Sequence, residues 1–128
     1  MASRIFGQTK LERLFGVYNR KAELYLLVAA GVLVIHWSLV VWFVVTRLGT
    51  LEFLRLHYTA ALGIDWIDDW WKIFVFPGVG LVALFVNALF AGQLSKTHRL
   101  LGALILGSGI LLQIIFAIGG VMALLLNG

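Results

Sequence analysis

Three long apolar runs, Ala22–Thr46, Ile73–Leu94 and Leu100–Leu126, occupy more than half of this 128-residue chain. A helix rises about 1.5 Å per residue, so about 20 residues cross a hydrocarbon core of about 30 Å, and each run reaches that length. Lipid offers the backbone no hydrogen bonds, so a spanning segment must satisfy its own as a helix or within a closed barrel. The runs are unbroken rather than alternating, which excludes a barrel. The chain therefore reads as an all-α integral membrane protein, a three-transmembrane-helix bundle in one membrane domain of residues 1–128. Its expected parts are a basic amphipathic segment (1–21), a first span (22–46), an aromatic-rich extracytoplasmic connection (47–65), a second span (66–94) and a third (100–126).

Basic residues are unevenly placed. Arg4, Lys10, Arg13, Arg20 and Lys21 stand against Glu12 before the first span, and Lys96, His98 and Arg99 fill the short second connection. The first connection instead mixes Arg47, Arg55 and Lys72 with Glu52, Asp65, Asp68 and Asp69. The positive-inside rule then puts the N-terminus and second connection in the cytoplasm, and the first connection and C-terminus outside, in a bacterial cytoplasmic (inner) membrane. The first run is longer than the core of a cleaved signal peptide, so it is expected to stay as a span. Within 1–21, Leu11, Leu14, Phe15 and Tyr18 recur at helical spacing while the basic residues fall largely off that stripe, as in a helix lying on anionic lipid. Each juxtamembrane Lys or Arg is worth about 1 kcal/mol there, which accounts for a pI of 9.9 without nucleic acid. With no cysteine in the chain, disulfides and thiolate chemistry are excluded.

The second helix is expected to begin at Trp66, with Asp65 as its N-cap and Asp68 placing negative charge in the first turn. Trp66, Trp70 and Trp71 would then anchor it in the outer interface, and Pro77 would kink it. Upstream, Leu54, Leu56 and Tyr58 alternate as in a strand, while their neighbours also suit a short helix. Both conformations stay open for this connection.

The informative polar residues within the spans are His36, Asn87 and Gln113. Counted from Lys21 and Arg99, His36 and Gln113 both lie about 21 Å from the inner boundary, within reach of each other, and Asn87 lies nearer the inner face. They sit on stripes of small residues, Gly80, Ala83, Asn87, Ala91 in the second span and Gly102, Leu106, Gly109, Gln113, Ala117, Gly120 in the third. Small residues let helix backbones approach, and amides on the same stripe add interhelical hydrogen bonds. These faces are expected to meet each other or His36, and Ala103 and Gly107, off that face, to serve a second contact.

What chemistry the chain carries is less constrained. Buried polar groups of this kind usually hold a bundle together. His36 is also a candidate ligand for a haem, quinone or pigment, although no second intramembrane histidine completes a bis-histidine site. A small oligomeric transporter would lean on Glu23 or His36, but Glu23 lies beside Lys21 and no paired repeats are present. His57, Asp65, Asp68 and Asp69 are cation-ligand types at a spacing that matches no standard motif. No nucleophile, base and orienting group can be assembled, so the chain is not expected to be an enzyme, nor to need a cofactor or metal.

His57-Tyr58, Gly63-Ile64-Asp65, Trp70-Trp71, Pro77-Gly78 and Asn87 together resemble a pattern found in uncharacterised small three-span bacterial membrane proteins. The resemblance covers about residues 57–90 and implies a fold, with no catalytic or binding residue to carry over. The sequence thus points to a small scaffold or accessory subunit whose partners are other membrane proteins or its own copies, with anionic lipid at the N-terminal segment.

Overall fold

The computed structural model describes residues 20–47, 50 and 52–128. In chain order it comprises α1 (Arg20–Arg47), β1 (Phe53–Thr59), β2 (Gly63–Asp69), a 3-10 turn (Trp70–Phe74), α2 (Val75–Ser95) and α3 (Arg99–Leu126). Three segments, Lys21–Arg47, Trp70–Ser95 and Arg99–Leu126, are 27, 26 and 28 residues long with mean hydropathies of 2.3, 2.3 and 2.5. Each is long and apolar enough to cross a bilayer, the architecture of a multi-pass membrane protein. Of the basic amphipathic segment 1–21, all but Arg20 and Lys21 lies outside the described residues.

α1 buries one stripe, Ala29, Leu33, His36, Val40, Phe43 and Val44, at helical three- and four-residue steps. Its Ser38 and Thr46 hydroxyls are satisfied within the helix: Ser38 Oγ donates to Val34 O at 2.8 Å and Thr46 Oγ1 to Trp42 O at 2.9 Å. α2 and α3 are joined by a short turn in which the His98 N–H donates to Leu94 O at 2.7 Å. They run antiparallel, and α1 packs chiefly on α3.

The first connection is not an interfacial helix but an antiparallel β-hairpin, so the all-α expectation is corrected. β1 and β2 pair from Phe53↔Asp69 to Thr59↔Gly63, with irregular register around His57. Gly63 closes the turn at φ +75°, a conformation that side chains with a Cβ rarely adopt. The period-two alternation decides the outcome: Leu54 and Leu56 point the same way and are both 2% exposed. They seal the end of the bundle in a cluster with Val40, Phe43 and Val44 of α1, Ile73 of the 3-10 turn and Ala123 of α3, ringed by Trp66, Trp70, Phe74, Phe76 and Leu124.

The hairpin also moves the start of the second helix. Asp65 and Trp66 belong to β2, the 3-10 turn follows, and α2 begins at Val75 rather than Trp66. Pairing with β1 and half-burial of Trp66 against the core outweigh the local capping pattern of Asp65. The expected kink at Pro77 loses its premise too. Pro77 falls in the first turn of α2, where N–H groups have no acceptor within the helix, so its missing N–H forfeits no bond.

Asn127, just beyond α3, fastens the hairpin to the bundle. Its Nδ2 donates to Arg55 O and to Ala123 O, both at 2.7 Å, and its Oδ1 accepts from the Arg55 N–H at 3.0 Å. Arg47 at the end of α1 donates from Nη1 to Asn127 O at 2.9 Å, while its guanidinium lies 5.0 Å from the centre of the Phe43 ring. Replacing Asn127 by alanine removes three side-chain bonds, each worth about 1 kcal/mol net. Two of them hold Arg55 of β1, about 2 kcal/mol together, so we expect Asn127→Ala to accelerate hydrogen exchange of the β1 amides about thirtyfold while leaving mid-helix amides of α3 protected. Unchanged exchange in β1 would show that Leu54 and Leu56 alone hold the hairpin.

Candidate functional site

Gln113, Asn87, Ser95 and His36 share one structural device: each rests against a glycine of a neighbouring helix. Gln113 of α3 is 1% exposed, and its Nε2 donates to Gly80 O of α2 at 2.7 Å. That approach needs a glycine, because a Cβ at position 80 would stand 2.9 Å from Gln113 Oε1 and 3.2 Å from Leu33 Cδ1. Asn87 of α2 lies over Gly109 of α3, where an added Cβ would meet Asn87 Nδ2 at 3.1 Å. Ser95 occupies the space that a Cβ on Gly102 would need, and the imidazole of His36 does the same at Gly120.

These contacts fix the register of the bundle. Along α2 the sequence Gly80, Asn87, Ser95 descends as Gln113, Gly109, Gly102 descends along α3, as antiparallel helices require. Steps of about seven and eight residues on α2, and of about four and seven on α3, keep the contacts on one face of each helix. The predicted faces of Asn87 and Gln113 do lie against each other. Ala91 is buried in the same interface and Ala83 half-buried, whereas Ala103 is exposed and a Cβ on Gly107 would meet open space.

The expected pairing of His36 with Gln113 does not occur. His36 meets α3 at Gly120, two turns beyond Gln113, which corresponds to about 10 Å along the axis. Flanking charges are poor depth marks, since Lys and Arg side chains reach the interface from several positions. His36 lies 15 residues beyond Lys21 and Gly120 lies 21 beyond Arg99, so the two charges do not mark a common depth. Asn87 likewise faces Gly109 and not His36. Both ring nitrogens of His36, Asn87 Nδ2 and Gln113 Oε1 are buried without a hydrogen-bond partner among the described residues. His36 is therefore the least satisfied polar side chain of the core.

Sequence reasoning missed two contributors. Ser95 sits just past the end of an apolar run, although its distance from Asn87 continues the spacing. Asn127 follows the last apolar residue. An asparagine just past a helix end was the available signal.

The hairpin carries the charged groups. His57 Nδ1 and Asp65 Oδ1 are 2.7 Å apart. Asp68 accepts from Lys72 Nζ at 2.6 Å, from Trp66 Nε1 at 3.2 Å and from the Asp69 N–H at 2.9 Å. The Lys72 bond first, then those from Asp69 and Trp66, hold the Asp68 carboxyl down at about 2. With Asp68 engaged in this way, the four acidic and histidine side chains of the hairpin do not converge. Among the described residues no three His, Asp or Glu side chains gather as metal ligands would. Of the three tryptophans, Trp66 tilts against Phe76 at 6.3 Å between ring centres, Trp70 packs on the core, and Trp71 is exposed with Lys72 Nζ 5.5 Å from its ring centre.

A wholly apolar groove of about 370 Å³ runs along the α1–α3 seam, lined by Val32, Ile114, Ala117, Ile118, Val121 and Met122. Comparison with family models, with curated proteins and with solved structures found no match to the chain. The site must accordingly be judged on its own geometry.

The His36–Gly120 contact makes a specific prediction. Gly120→Ala overpacks the core against a rigid, enclosed ring and should cost about 1–3 kcal/mol of stability in reversible unfolding from micelles. In the His36→Ala background the same change should cost far less, since the ring that it meets is gone. Equal costs in both backgrounds would mean that His36 does not rest on Gly120.

Proposed function

We propose that this chain is a small scaffold or accessory subunit of the bacterial cytoplasmic membrane, acting through helix–helix association. The observation that carries the reading is the division of its surfaces. The polar side chains and the close-packed glycines meet one another inside the bundle, between α2 and α3 and between α1 and α3, while the exterior is apolar along all three helices. Two features of that exterior suit a neighbouring helix: the small-residue pair Ala103 and Gly107, and the apolar groove of the α1–α3 seam. The distribution of basic residues favours an N-terminus in the cytoplasm, the hairpin outside, and anionic lipid at the N-terminal segment. No catalytic step is assigned to the chain.

One observation favours a second reading. His36 is 1% exposed with both ring nitrogens unpartnered, which is also how a histidine awaiting a haem, quinone or pigment would be held. One preparation separates the two. Purified in a mild detergent, the protein of the scaffold reading is colourless and keeps a protein partner or a defined oligomeric mass by native mass spectrometry. Gly107→Leu should reduce that association at least tenfold without changing helicity. A visible absorption band that disappears in His36→Ala would instead make this a cofactor subunit. A colourless protein that stays monomeric and alone in every lipid and detergent would remove both readings.

A further inference from the structure

We propose that the free edge of β2 is a docking site for an extended, cationic segment of a partner protein, which adds to the hairpin as a third strand. This rests on the scaffold reading and names where, and by what chemistry, a partner is held outside the lipid. A two-stranded sheet has two open edges, and each presents unpaired N–H and C=O groups to any strand that approaches. In this protein the edges differ. The outer edge of β1 is already engaged at Arg55, where the Asn127 amide takes both the N–H and the C=O. From Gly63 to Ile67 the backbone of β2 bonds to β1 and to nothing else among the described residues.

The side chains along β2 say what fits. Ile64 and Ile67 are exposed at 39% and 60%, and Asp65 is exposed beside them. Asp68 is neutralised by Lys72, but Asp65 has only His57, and no side-chain bond reaches the Asp69 carboxylate among the described residues. An added strand gains backbone hydrogen bonds along the edge, and its alternate side chains meet this apolar and acidic row. Lysine or arginine alternating with aliphatic residues complements it. A second copy of β2 complements it less well, since it brings a second set of carboxylates alongside Asp65 and Asp69. The same charges that protect this edge from self-association therefore select a basic partner.

The test uses the full-length protein in nanodiscs of zwitterionic phosphatidylcholine, to which cationic peptides have little attraction. The probes are a short peptide alternating lysine with valine, its glutamate–valine counterpart, and the lysine–valine peptide N-methylated on its pairing edge. Hydrogen exchange is followed at the amides of Ile64 to Ile67. The lysine–valine peptide should slow outward-facing amides of β2 about tenfold, with an effect that weakens as salt rises. The glutamate–valine and N-methylated peptides should leave them unchanged. The double variant Asp65→Lys, Asp69→Lys, which retains the hairpin's apolar face, should lose the protection. Equal effects of the methylated and unmethylated peptides would reduce the attraction to bulk charge and overturn strand addition. No protection by any peptide would also overturn it. If the protein nevertheless keeps a partner that Gly107→Leu releases, the scaffold reading survives and only the β2 site falls.

Discussion

A polar side chain inside a bilayer has no water to turn to, and the bond from Gln113 to the carbonyl of Gly80 is the principal answer this bundle gives. It joins the second turn of α2 to the middle of α3, and it exists only because residue 80 has no side chain. With that contact set, Asn87 falls on Gly109 and Ser95 on Gly102, one repeat at a time toward the short turn. α3 is the element on which the others are arranged: its inward stripe of Gly102, Leu106, Gly109, Gln113, Gly120 and Ala123 receives α2 along one side and His36 of α1 near the far end. Hydrophobic burial contributes little to this, since lipid tails are as apolar as the side chains they replace. Close approach and hydrogen bonding decide the arrangement instead.

The other end of the molecule obeys different physics. There the β-hairpin turns Leu54 and Leu56 into the mouth of the bundle and faces charged groups outward, an arrangement that requires water on one side. Asn127 links the two regimes by bonding at once to the last turn of α3 and to the edge of β1. The hairpin is thereby a plug locked to α3. The proposed partner contacts divide in the same way, with helix faces available to neighbours in the lipid and the β2 edge available outside it.

Much of the helical architecture was legible because the bilayer imposes it. Run length alone located three helices, and the spacing of glycines around Gln113 marked the inward face of α3 before any contact was known. The hairpin was harder. Leu54, Leu56 and Tyr58 carried the alternation of a strand, but aromatic residues and the Asp65-Trp66-Ile67-Asp68 pattern equally suited a helix start, and only pairing between β1 and β2 separates them. The placement of His36 failed for another reason. Depth was measured from charged residues whose long side chains do not mark a fixed plane, so helices offset by one to two turns looked level. Neither a pairing partner nor an axial offset is encoded within a single segment.

The functional account rests on a bundle whose interior is closed by its own glycine-seated polar groups and whose outer surfaces are left for association. The Gln113–Gly80 bond is its most exposed claim. Solid-state NMR of the protein in lipid bilayers, labelled with nitrogen-15 at the Gln113 side-chain amide and carbon-13 at the Gly80 carbonyl, measures that contact directly. A measurable nitrogen–carbon dipolar coupling, as expected for a carbonyl carbon one C=O bond behind an oxygen that lies 2.7 Å from the Gln113 nitrogen, is the predicted result. No measurable coupling between the two labels in a folded sample would contradict the register of α2 on α3, and with it the assignment of which helix faces remain free.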